Sequence, residues 1–153
     1  MCIRDSLLLD PNIEPTAAAY QQQEAALLRI EGHLKSIHQT VGNMRKVQQQ
    51  LQHHLTVLAD FSQYQSLLTQ GEALQDRLKA WEQALIQPQQ KTFQDVINFN
   101  NKLNAEFMHL KGYVDGAQPE VTAGALERLN DLEVLWKSEK AVLNQLIDFF
   151  SLP

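Results

Sequence analysis

With 153 residues, 13 lysines and arginines against 18 acidic residues, and a formal charge of −5, the chain lacks the clustered basic surface that a phosphate backbone requires, which argues against nucleic acid as a partner. A hydrophobic share of 44% with 20% charged residues suits one folded domain with a real core, and no apolar run approaches the roughly 18 to 20 residues of a membrane span. The single cysteine, Cys2, excludes a disulfide framework and a thiolate metal site, and leaves cytosol, periplasm and cell exterior equally open.

Residues 1–6, Met1-Cys2-Ile3-Arg4-Asp5-Ser6, read as the translation of a transposase adapter used in library preparation and are set aside as non-native. On that reading the gene's own sequence is expected to start near Leu7, in mid-gene. Removing the six residues leaves the charge unchanged, because Arg4 and Asp5 cancel, and takes away the only cysteine. Leu7-Leu8-Leu9-Asp10-Pro11 is a short apolar run stopped by Asp-Pro, with Pro15 following, so residues 7–15 are expected to be the end of an upstream strand or a linker.

Residues 16–153 read as a helical bundle domain. Leu27, Ile30, Leu34, Ile37, Val41, Met44, Leu51, Leu55 and Leu58 follow spacings of three and four, broken only where Gln48 occupies the seam. A first helix over about 16 to 59, capped by Thr16, would be roughly 65 Å long and needs partners, because such a stripe is not stable alone in water. Leu67, Leu74, Leu78, Trp81 and Leu85 mark a second seam ended by Pro88, with Gly71 placed for a close helix approach. Phe99, Leu103, Phe107, Leu110 and Val114 mark a third helix, stopped by the turn chemistry of Asp115-Gly116.

A fourth helix follows Pro119, with Thr122 as cap, Val121 and Leu126 as a hydrophobic staple, and Leu126, Leu129, Leu132, Trp136, Leu143, Leu146 and Phe150 as its inner face. The expected fold class is therefore all-α: an antiparallel four-helix bundle with a long first helix, a helical hairpin plus two shorter helices, preceded by a short extended segment. The far half of the first helix should overhang or pack mainly on the second. Two packing modes are expected, a hairpin and a more compact region where all four helices meet.

Candidate chemistry is sparse. His33 and His38 stand five apart and His53 and His54 are adjacent, spacings that do not stack two ligands on one helical face, so no metal site and no cofactor is expected. No glycine-rich phosphate loop, metalloprotease helix or serine elbow is present, and Glu24, Glu31, Glu72 and Glu82 read as solvated helix surface. Trp81 and Trp136 sit in apolar stripes and read as core. The glutamine runs fill outward-facing helix positions, whereas Gln48 is a seam polar residue able to fix register. Between the second and third helices, Phe93, Asp95, Asn98 and Phe99 form a candidate interaction loop, the segment least explained by bundle packing.

Two stretches carry a family likeness. Trp81-Glu82-Gln83-Ala84-Leu85-Ile86-Gln87 is one; Lys91-Thr92-Phe93-Gln94-Asp95-Val96-Ile97-Asn98-Phe99 with Lys102-Leu103-Asn104-Ala105-Glu106 is the other, and Gly124 to Leu132 adds to them. Together they resemble the C-terminal region of large bacterial sortilin-like, BNR-repeat β-propeller proteins often labelled glycosyl hydrolases. In that family the helical region follows a small β-sandwich whose last strand runs into Asp-Pro, which Leu7 to Asn12 resembles. The family commonly has a proline near the position of Asn100, and this chain does not.

The resemblance implies a non-catalytic helical appendage of an exported parent at the cell envelope or exterior. Its partners would be the upstream β-sandwich and propeller domains of the same chain, with a further protein partner as an option. Any glycosyl hydrolase-like chemistry would belong to the propeller, and no catalytic residue carries over. The residues alone also allow a free-standing intracellular coiled-coil protein that dimerises through the first seam. A third reading, in which this segment is itself a hydrolase or lyase, needs an active site assembled across helices.

Overall fold

The computed structural model describes residues 16–86, 101–117 and 120–151, with side chains described through residue 148. Among these residues four helices, α1 (Ala17–Leu58), α2 (Gln65–Leu85), α3 (Leu103–Asp115) and α4 (Ala123–Ser151), make an all-α bundle with a long first helix, and a 3-10 turn at Ser62–Tyr64 links α1 to α2. The candidate loop of Phe93, Asp95, Asn98 and Phe99 lies outside the described residues, as do residues 7–15 and the side chain of Phe150.

Local chemistry sets the helix ends. The Thr16 hydroxyl accepts the Ala19 N–H at 3.1 Å, relieving one orphan donor at the start of α1. At α4 the Thr122 hydroxyl accepts the Ala125 N–H at 3.2 Å, while buried Val121 and partly buried Leu126 close the staple. The third helix stops at Asp115 as its turn residues imply, although Gly116 keeps a right-handed conformation (φ −81°, ψ −4°) and bonds back to the Gly112 carbonyl at 3.1 Å. Its first residue is Leu103, with Lys102 as an extended N-cap (φ −103°, ψ 172°).

The stripe on α1 is used along its whole length, but by different partners. Its upper part meets α2: Gly71 lies against Leu55, Gln75 bonds to the Gln48 carbonyl, and Glu82 pairs with Arg45. Its lower part meets α3, with His33 on Phe107, Glu31 on Lys111 and Gln23 on Val114. In both series the partner's number rises as that of α1 falls. Thus α2 and α3 both run antiparallel to α1 and follow one another along it. The fourth helix spans both, reaching α3 at Arg128–Glu106 and α2 at Trp81–Glu139.

One buried cluster draws on all four helices: Ile30, Ile37 and Val41 from α1, Leu78, Trp81 and Leu85 from α2, Leu103 to Val114 from α3, and Leu129, Leu132, Trp136 and Leu143 from α4. Side chains of this size each contribute roughly 1.5 to 3 kcal/mol on full burial, so this cluster is the main source of stability. Leu55 is buried in the α1–α2 hairpin and stands apart from the cluster. Both expected packing modes are therefore present.

One expected core position fails. Leu67 is 53% exposed, and Gln75 is buried in the same helix at 7%. The strip centred on Gly71 and Gln75 faces α1, meeting Leu55 and the Gln48 carbonyl, and Leu67 lies off that strip.

Candidate functional site

Polar side chains at the helix interfaces form a series of cross-links. Lowest is Gln23, whose amide donates to the carbonyls of Val114 (2.8 Å), Ala117 (3.1 Å) and Asp115 (3.3 Å). Val114 and Asp115 end α3 and Ala117 follows it; Val114 also accepts the Ala117 N–H at 3.2 Å, and the Gln23 amide adds a donor from α1 where the helical bonds run out, so a side chain from α1 caps α3.

Two turns along, Arg29 lays its guanidinium on the Glu133 carboxylate, Nε to Oε1 at 3.0 Å and Nη2 to Oε2 at 2.8 Å, and Nη2 also donates to Asn130 Oδ1 at 2.9 Å. His33 Nε2 meets the same Glu133 Oε1 at 2.9 Å while its ring stacks on Phe107, centroids 5.5 Å apart. The Arg29 bonds hold the Glu133 carboxyl below its ordinary range, against a smaller opposing effect of burial, and His33 adds to the lowering. The same contact raises Arg29. Spacings of four on α1 (Arg29, His33) and three on α4 (Asn130, Glu133) place each pair on one helical face. Nothing local to either helix says that these faces meet.

Higher up, Arg45 pairs with Glu82 (Nη2 to Oε1 2.6 Å), and Gln48 donates to Glu82 Oε2 at 3.4 Å. The seam polar residue is therefore half-buried and partnered. Glu82, expected on the solvated surface, instead sits at the α1–α2 interface with a side chain only 16% exposed. Glu31 is also engaged, accepting from Lys111 at 2.8 Å. Trp81 and Trp136 are core as expected; the Trp81 indole N–H donates to the Glu139 carbonyl at 2.9 Å. The Trp136 Nε1 is buried without a partner among the described residues, with Lys140 Nζ 5.3 Å from its ring centroid.

Among the described residues no group of three or more His, Cys, Asp or Glu side chains gathers as a metal-ligand set, and no helix is long and apolar enough to cross a membrane. Glu133 is the most elaborately bonded carboxylate, and its contacts neutralise it; a base poised to take a proton needs a free lone pair aimed at a substrate. The arrangement works as a set of clamps between helices. Sequence reasoning missed Gln23, Arg29, Asn130, Glu133 and Gln75, because each acquires its role from a partner far away in the chain.

Compared with protein-family models, curated proteins and solved structures, the chain matches none.

Proposed function

We propose that this chain is a non-catalytic helical appendage of a large exported β-propeller protein, serving packing, spacing or protein interaction. The observation that carries the non-catalytic part is the inward use of polar groups: Gln23, Arg29, His33, Glu82 and Glu133 all bind the neighbouring helix. The parent rests on the resemblance of Trp81–Gln87, Lys91–Phe99, Lys102–Glu106 and Gly124–Leu132 to the helical region that ends sortilin-like, BNR-repeat proteins. In that setting the upstream β-sandwich and propeller are partners within one chain, any glycosyl hydrolase-like activity is theirs, and the location is the bacterial envelope or exterior.

A free-standing coiled-coil dimer would need the α1 seam open to a second copy. Ile30 and Ile37 are 0% exposed within a single chain, which favours the appendage. A long read of the source locus, prepared without transposase, tests the parent. A frame continuing upstream of Leu7 into strand-rich repeats and a secretion signal is expected, and a start codon immediately before Leu7 would sink the reading. Sedimentation should give a monomer, and turnover on glycan or peptide panels that survives repurification would raise the enzyme reading above this one.

A further inference from the structure

Residues 47–76, thirty in a row around the hairpin turn, contain no lysine or arginine, yet Asp60, Glu72 and Asp76 all lie among them. The fold brings these three carboxylates to one open groove of about 650 Å³ between the end of α1 and the first half of α2, with Leu55, Ala59 and Leu68 as its apolar lining. None of the three makes an ion pair among the described residues, whereas Glu31, Glu82, Glu106 and Glu133 are each held by a cation from another helix. Among the described residues Lys79 is the lone cation lining the groove.

Gln75 supplies a second, independent sign of a missing ligand. It lines the same groove and is 7% exposed; its Nε2 donates to the Gln48 carbonyl at 3.4 Å, but its Oε1 is buried with no partner among the described residues. An acceptor left in that state is destabilising, and a donor brought into the groove, met by a small turn of the Gln75 amide, would relieve it. The groove runs for about 10 Å along α1 from Gln52 to Ala59 and about 16 Å along α2 from Leu68 to Lys79, the length of two to three helical turns.

We propose that this groove docks an amphipathic basic helix of another protein, its apolar face on Leu55, Ala59 and Leu68 and its lysines or arginines against Asp60, Glu72 and Asp76. A helix seated between two packed helices is a recurring recognition mode, and the acidic rim repels both an anionic membrane surface and a nucleic acid. The proposal rests on the protein-interaction part of the reading above and is independent of the parent's identity.

The test uses the full chain and a fluorescent synthetic helix with leucines on one face flanked by lysines, with a glutamate-flanked peptide as control, read by anisotropy. The lysine peptide should bind, with affinity falling as salt rises, and the glutamate peptide should not. The double variant Glu72→Lys, Asp76→Lys should weaken binding by at least about tenfold. Both sites are exposed, so its melting curve should stay close to that of the parent chain. Glu127→Lys with Asp131→Lys, the same charge change on the outer face of α4, should leave binding intact. Gln75→Leu, which alters no charge, should weaken it.

Equal binding of both peptides, no binding of the lysine peptide, or binding that survives Glu72→Lys, Asp76→Lys would overturn the proposal. Such a failure would leave the sedimentation and upstream-frame results standing, and a failure of those would leave the peptide titration unaffected.

Discussion

Gly71 of α2 and Leu55 of α1 share one space: a Cβ built on Gly71 would stand 2.5 Å from Leu55 Cδ2 and 3.4 Å from its Cγ. The glycine is there because the leucine is, and the pair sets how closely the hairpin helices approach. Alanine at this site gains about 1 kcal/mol of helix propensity but must displace a buried methyl group. Gly71→Ala is expected to change stability by less than about 1 kcal/mol. In a Leu55→Ala background, which removes the obstacle, the same substitution should stabilise by about 1 kcal/mol. Urea unfolding of the four-member cycle measures the coupling, and additivity would refute the shared-space account. Gly32, with nothing within 4 Å of a built Cβ, supplies the control: Gly32→Ala should stabilise outright.

The two tryptophans separate by their indole nitrogens. Trp81→Ala and Trp136→Ala should each cost about 3 to 5 kcal/mol, the range for truncating a core aromatic. Replacement by phenylalanine should divide them. At Trp81 it removes the bond to the Glu139 carbonyl, while at Trp136 it removes a buried donor that has no partner. Trp136→Phe is therefore expected to be the milder change by about 1 kcal/mol. Thermal melts of both variants settle the order, and the reverse order would mean that the Trp136 nitrogen is satisfied in solution.

Glu133 links stability to pH. Its folded-state carboxyl titrates below the ordinary value of 4.5, chiefly through Arg29, so the folded protein binds this proton less readily than the unfolded chain does. The stabilisation is complete above the unfolded value and is lost as pH falls through the lowered folded one. Glu133→Gln should thus lower stability at neutral pH by a modest amount, on the order of 1 kcal/mol or less for a pair this accessible. It should also flatten the acid limb below about pH 4.5. Denaturant midpoints measured from neutral to acid would expose a mistaken assignment if the variant's profile paralleled that of the parent chain.

Gln48→Leu tests the polar seam position. Its bond to Glu82 is long, 3.4 Å, and Glu82 keeps Arg45, so little is lost and apolar area is gained. A gain of about 0.5 to 1 kcal/mol with an unchanged oligomeric state is expected. A loss exceeding about 1 kcal/mol, or a shift to dimers, would give Gln48 the register role that its seam position first suggested.

Helix boundaries were legible in the sequence wherever they depend on neighbours a few residues away. Thr16 and Thr122 cap where their hydroxyls can reach an N–H three residues on, and Asp115-Gly116 stops α3 where turn residues interrupt the apolar stripe. The inner faces of α1, α3 and α4 were legible too, because periods of three and four mark one side of a helix whatever covers it. Leu67 shows the limit. Its spacing fits the seam, but among the described residues Gln75 takes the sheltered position instead and Leu67 is left exposed.

The sequence by itself determined the order of the four helices, the caps at Thr16 and Thr122, the stop at Asp115-Gly116 and the apolar sides of α1, α3 and α4, since capping and periodicity act over a turn or two of chain. Only the tertiary structure decided that α2 and α3 follow one another along α1, that Arg29 finds Glu133 across 104 positions, and that Asp60, Glu72 and Asp76 share one groove. Those outcomes depend on axial register between helices. A shift of one turn moves a side chain about 5 Å, enough to exchange every polar partner while leaving each amphipathic stripe intact.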